Sequence, residues 1–268
     1  MTNLPSYADY GTYDESAHAD LWDGVVGYWA PSLGPTGLRL HDVSRYGNWG
    51  TLTNMVPADD WVVQSGNSAL NLTASDFVNC GDRSIWNFTG PFSAFVWGRW
   101  GSQGTDTAPI AKASVSNFYA GWILAFISAG NSPCAAFWNN GTRASGSTGV
   151  CDNTIRCVGI SWTGTVAQVW VDGKLDGSGN TTTAPNAAGV DLFIGQYGFI
   201  SNRTAQGQYF SAAVFNRALS ANEWRRLYEI GPGGMLQRRS RRRVYVEPAG
   251  FRAYYASQRS RIIGGGLR

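Results

Sequence analysis

Cleavage of a glycosidic bond takes two carboxyl groups about 5–10 Å apart, one on each side of the scissile bond. The chain has four glutamates, Glu15, Glu223, Glu229 and Glu247, and no predicted strand carries Glu-X-Asp-X-X-Glu or two acids at i, i+2. Acids at i, i+2 would share one face of a strand. Without such a pair hydrolysis is not expected. The two histidines, His18 and His41, stand in no serine or cysteine arrangement and are too few to fill a zinc site. No glycine-rich phosphate loop precedes a helix. The expectation is a protein that is not an enzyme and uses no cofactor.

Binding chemistry is better represented. Of twelve tryptophans, Trp49 in GNWGT, Trp86 in SIWNF and Trp138 in FWNNG adjoin predicted turns. They are candidate glycan contacts, because an aromatic face stacks on a sugar ring. Trp97, Trp122 and Trp170 fall on predicted strands, where core packing is the expected role. A second candidate surface lies in residues 231–268, which hold nine arginines and one glutamate against a mildly acidic remainder. Arg238, Arg239, Arg241, Arg242 and Arg243 precede Phe251, Arg252, Tyr254 and Tyr255. Arginines of this kind neutralise nucleic-acid phosphates or make charged contacts on a protein, with aromatics as anchors. The aromatics and the VYV segment favour docking on protein, by pocket filling or strand addition, over nucleic acid.

The elements that must position these residues read as strands. Glycine is abundant at 34 residues, aromatics make up 13% and charged residues only 15%, a composition that suits strands and tight turns. In VAQVWVDGKLDG, Val169 and Val171 alternate with Gln168 and Trp170, and Asp172-Gly173 supplies a two-residue turn. One face of this hairpin is expected to lie against a second sheet. FSAFVWGRW alternates likewise, with Phe95, Trp97 and Arg99 opposite Ala94, Val96 and Gly98. Further strands are expected near Val26 and Tyr28, in residues 68–79, 122–127, 134–138, 157–162 and 191–195, and at the end of the turn-rich block 38–52. Ser220 and Glu223 form a capping box for one short helix, stopped by Gly231-Pro232. The fold expected is all-β, an antiparallel β-sandwich of the jelly-roll type. The four cysteines, Cys80, Cys134, Cys151 and Cys157, are expected as reduced, buried thiols, since the N-terminus is polar and acidic rather than a secretory signal. Apolar runs are too short to span a bilayer, so no membrane is implied.

Six blocks fall in one order: VVGYW, LHDVSRYGNWGTL, FSAFVWGRW, ISWTGTVAQVWVDGK, LFIGQ and VFNRALSANEWRRLY. In this order they resemble the laminin-G-like, concanavalin A-like jelly-roll domains. Family members often carry Trp-His where Ile155-Arg156 stand, and an acidic pair where Phe210-Ser211 stand. Some members bind calcium with acidic residues near sheet edges; loss of that pair argues against it here and leaves Asp76, Asp82 and Asp172 as the candidate calcium ligands, for which turn or surface roles suit better. The wording YWAPSLGPTGLRLHDVSRYGNWGTLTNM and the tail AGFRAYYASQRSRIIGGGLR look like versions carried by tailed bacteriophages. That likeness implies residues 1–20 as an extended arm, 21–230 as the jelly roll and 231–268 as a basic anchoring arm. It also implies a virion location after assembly in the host cytoplasm, and a capsid decoration role. The partners implied are the major capsid protein or neighbouring copies. The alternatives are a host-glycan adhesin on a tail or head fibre and, third, a glycan-degrading enzyme.

Overall fold

Alternation along FSAFVWGRW buries both of its apolar sets. Ala94 and Val96 enter a core between two sheets, while Phe95 and Trp97 enter a second core on the other side of their own sheet. The computed structural model describes residues 18–64, 66–104, 106–113, 121–139, 141–185, 189–196, 198 and 203–236. The chain divides into units Met1–Gln237 and Arg238–Arg268. The second unit lies outside the described residues, and with it every arginine and aromatic proposed above for the basic arm.

In chain order the first elements are α1 (Ala19–Trp22), β1 (Val25–Trp29), β2 (Arg39–Leu40), β3 (Gly50–Thr53), α2 (Pro57–Asp60) and β4 (Trp61–Gln64). They are followed by β5 (Asn67–Leu72), β6 (Phe77–Gly81), β7 (Phe92–Trp100), β8 (Thr107–Ala113), β9 (Gly121–Phe126) and β10 (Cys134–Trp138). The chain continues through β11 (Gly141–Ser145), β12 (Ile155–Trp162), β13 (Val166–Val171), β14 (Lys174–Asn180), β15 (Leu192–Ile194), β16 (Gly207–Phe215) and α3 (Ala221–Ile230). One sheet runs β14-β13-β12-β7-β16-β5-β4, with β1 also paired to β16; the other runs β11-β10-β9-β8-β15-β6-β3-β2. Each ladder is antiparallel, for example Val158↔Val171 between β12 and β13 and Val158↔Val96 between β12 and β7. The architecture is the β-sandwich that the alternating segments lead one to expect.

Val96, Val158, Val169, Ile110, Leu124 and Ile194 are among the side chains packed between the sheets. The hairpin of β13 and β14 turns on Asp172 (φ 49°) and Gly173 (φ 75°), the two positive angles that a tight right-twisting hairpin requires. Its β13 strand is not half-exposed: Val169 and Val171 face the second sheet, and Trp170 is buried on the opposite face. The cause is α3. Trp170 stacks on Trp224 with ring centroids 5.4 Å apart, and Trp97 stacks on Tyr228 at 5.8 Å.

A ten-residue helix is marginal alone. Its capping box is complete, with the Ser220 side chain accepting from the Glu223 N–H and the Glu223 side chain accepting from the Ser220 N–H. Packing stabilises it more than the cap does. Two indoles remove on the order of 300–500 Å² from water, about 7–12 kcal/mol before entropy. Residues 1–17 lie outside the described residues, but the segment that follows is helical, with Leu21 and Trp22 buried beneath the same sheet. The Trp22 indole donates to the Met235 carbonyl at 3.1 Å, so the packed body extends past 230 to Leu236. All four cysteines are free and buried.

Gly159 makes the recess for Trp224. It lies between Phe95 on β7 and Trp170 on β13 in register, and a Cβ there would overlap the Trp224 ring and come within 2.7 Å of the Ala94 carbonyl oxygen. Gly159→Ala is expected to lower stability by about 1–3 kcal/mol through overpacking. Urea denaturation checks this, and an unchanged midpoint would refute the tight fit.

Candidate functional site

Asp42 is buried, yet it sits in a loop at the edge of the second sheet. Its Oδ1 accepts from the backbone N–H of Tyr28 (2.9 Å) and Ser44 (2.8 Å), and its Oδ2 from the Ser44 hydroxyl (2.8 Å) and the Asn48 N–H (2.7 Å). Four donors satisfy a carboxylate that would otherwise be costly to bury. The Trp29 indole adds a bond to the Asn48 carbonyl at 2.9 Å. Residues 42–48 are thereby fixed against β1 at several points.

That loop delivers Trp49. The β2–β3 register pairs Arg39↔Thr51 and Leu40↔Gly50, which brings His41 and Trp49 next in line. Their rings stack at 4.6 Å with planes 9° apart, and the Arg39 Cζ lies 5.7 Å from the centre of the Trp49 ring. Trp49 remains 45% exposed. Leu40 and Leu52 point into the inter-sheet core, so Arg39, His41, Trp49 and Thr51 share the outer face of the second sheet. Thr51 pairs with Asn79 on β6, whose Nδ2 donates to Asp191 Oδ2 at 3.0 Å and whose Oδ1 accepts from the Gly81 N–H at 2.7 Å. With strands about 4.8 Å apart, the result is a row running from an aromatic platform to fixed amide and carboxylate groups. Further along, Phe77 and Phe193 meet edge to face at 5.7 Å, and Ala111, Ile123 and Ala125 form a buried cluster.

Lys112 braces this region from within. Its buried side chain points inward, and its Nζ donates to Asp82 Oδ1 at 2.6 Å and to the Val190 carbonyl. Burial pushes its pKa down, opposed by Asp82 and Asp191.

Several sequence expectations need correction. Trp86 is fully buried, its indole donating to the Val26 carbonyl at 3.2 Å, and Trp138 is 1% exposed, donating to the Thr183 carbonyl at 2.7 Å. Neither is available to a ligand: their indole N–H groups tie turns down from inside the core. The candidate calcium ligands are likewise engaged. Asp76 accepts from the Thr73 N–H (2.8 Å) and hydroxyl (2.6 Å), Asp82 is paired with Lys112, and Asp172 accepts from the Cys157 N–H (3.0 Å) and from Arg156 (2.7 Å). Among the described residues no three His, Cys, Asp or Glu side chains gather as a metal site. Arg39, His41, Thr51, Asn79 and Asp191 join Trp49 on the face although no motif marks them. The available signal is Leu40 and Leu52, whose inward side chains force their neighbours outward.

A family model described as the concanavalin A-like lectin/glucanases superfamily, Laminin_G_3, matches residues 72–223. The chain belongs to this family. No curated protein matches it. Among solved structures it is similar to domain 4 of an extracellular GH43 arabinanase from Geobacillus stearothermophilus, in complex with arabinotriose. That match has 13% identity, covers 75% of this chain and 97% of the domain, and has a TM-score of 0.57. Trypanosoma rangeli sialidase in complex with sialic acid matches at 17% identity over 76% of this chain and 32% of the sialidase, with a TM-score of 0.55. The binding domain of Paraclostridial Mosquitocidal Protein 1 matches at 12% identity over 78% of this chain and 52% of that one, with a TM-score of 0.53. These neighbours overturn the expectation of a bacteriophage virion protein that decorates a capsid. That expectation rests on phrasing and a basic tail, and neither is a property of the shared fold.

Burial, and then the charge of Arg39, hold the His41 pKa below the usual imidazole value. The unfolded chain binds that proton more tightly, so stability should fall as pH drops through the ordinary imidazole range toward the lowered value. His41→Asn should flatten this slope relative to the parent, with His18 common to both. Urea midpoints against pH measure it, and parallel slopes would refute the assignment. Asp42→Ala should cost about 3 kcal/mol by orphaning its donors, with faster amide exchange at residues 43–49 as the local readout.

Proposed function

We propose that this chain is a carbohydrate-binding module that holds glycans on the outer face of its second sheet and does not cleave them. The observation carrying the proposal is Trp49, an exposed indole stacked on His41 and delivered by a loop clamped through Asp42. A rigid aromatic plane accepts the C–H face of a sugar, and Thr51, Asn79 and Asp191 offer hydroxyl, amide and carboxylate groups beside it. Family membership supports the reading, as does the fold shared with an arabinanase domain whose structure contains arabinotriose. Binding without hydrolysis is supported by the state of the acids. Asp191 accepts from Asn79 and Asp82 is held by Lys112, while on α3 Glu223 is engaged by Arg217 and the helix cap and Glu229 pairs with Arg225.

A glycan panel that includes arabino-oligosaccharides, followed by calorimetry, tests this. The parent chain should bind at least one glycan saturably, and Trp49→Ala should weaken binding roughly tenfold or more, as expected for about 1.5 kcal/mol of stacking. Circular dichroism should be unchanged, because Trp49 is outside the core. Binding that survives Trp49→Ala at full strength, or release of reducing ends from the bound glycan, would overturn the proposal.

A further inference from the structure

Among the described residues, most basic side chains beyond the platform are committed. Lys112, Arg156, Arg203, Arg217, Arg225 and Arg226 each form an ion pair with an aspartate or glutamate. Arg99 and Arg143 donate to backbone carbonyls. Arg39 differs. It is exposed on β2 and forms no ion pair among the described residues, and the nearest acid in sequence, Asp42, is buried with four donors of its own. Its guanidinium lies over the Trp49 ring, 5.7 Å from the centre. Among the described residues no acid pairs with that charge, and its effect extends to His41, whose pKa is lowered by burial and then by Arg39.

We infer that the Trp49 platform selects sugars bearing a carboxylate, with the ring stacked on Trp49 and the acid group paired with Arg39. An indole plane alone takes neutral and charged sugars alike. A guanidinium beside it adds a planar fork of donors whose geometry matches a carboxylate in two parallel hydrogen bonds. Arg39 is preorganised for this by its position over the ring, so little side-chain freedom is lost on binding. The pairing also neutralises a charge that no acid among the described residues meets. This inference rests on the glycan-binding reading of the same face and narrows it to a ligand class.

The test uses the full chain and three matched oligosaccharides: a neutral one, one with a uronic acid at the same position, and one with a sulfate there. The parent, Arg39→Gln and Trp49→Ala are compared by calorimetry at low and high salt. The uronate ligand should bind at least tenfold more tightly than the neutral one, and added salt should shrink that preference. Arg39→Gln should bring the uronate ligand down to the affinity of the neutral one, while Trp49→Ala should weaken all three. Equal affinity for neutral and uronate ligands would overturn the inference while leaving the module reading intact. A preference for sulfate over carboxylate would overturn the carboxylate assignment. Failure of the folded parent to bind any of the three, or any wider panel of glycans, would remove both readings.

Discussion

At β7 neither face of the first sheet is left to water. Phe95, Trp97, Trp170 and Phe210 on the outer face would together expose a large apolar surface if the sandwich ended at two sheets. The hydrophobic effect scales with such area, so a third layer is required. α1, α3 and the turn ending at Leu236 supply it, and Arg217 joins the helical ends through the Asp20 and Asp23 carbonyls and the Glu223 carboxylate. Segments 19–22 and 221–236, which look peripheral in sequence, therefore cover the outer face of β7 and its neighbours.

The two sheets consequently face solvent differently. On the first sheet, helices cover the broad outer face. The second sheet carries its exposed aromatic and its polar row on strands β2, β3 and β6, at the edge beside β4, where the Trp61 indole reaches the Gly37 carbonyl at 3.2 Å. Asp42 links the sheets at this place, because it binds the Tyr28 amide of one and fixes the loop that leads into β3 of the other. The platform is thus positioned by the core rather than by its own loop. Lys112 does for Asp82 and residues 190–191 what Asp42 does for residues 42–48: an internal charge orders an external segment.

Much of the fold is legible in the sequence because most of its strands either alternate or stand between turn residues. β7 and β10 coincide with their motifs, and the Asp172-Gly173 turn and the Ser220 capping box are local signals that packing does not override. The strands without such signals differ in kind. β8 contains Pro109, which sits where its register to β9 shifts, and Lys112, whose charge is neutralised by a residue thirty positions away. β16 is buried on both faces over most of its length and so does not alternate. The site is less legible than the fold. Turn proximity does not separate Trp49 from Trp86 and Trp138, because exposure depends on where a side chain points across the sheet, and Trp86 and Trp138 find carbonyl partners far along the chain.

The burial of Lys112 also decides where the molecule can be attached to something else. The chain contains two lysines, Lys112 and Lys174, and only Lys174 is exposed. It lies on β14, the edge strand beside β11, whereas Trp49 lies near the opposite edge, beside β4. Reagents aimed at side-chain amines therefore react at Lys174. A fluorophore, bead or sensor surface coupled there holds the molecule by the edge away from the platform and leaves that face turned outward.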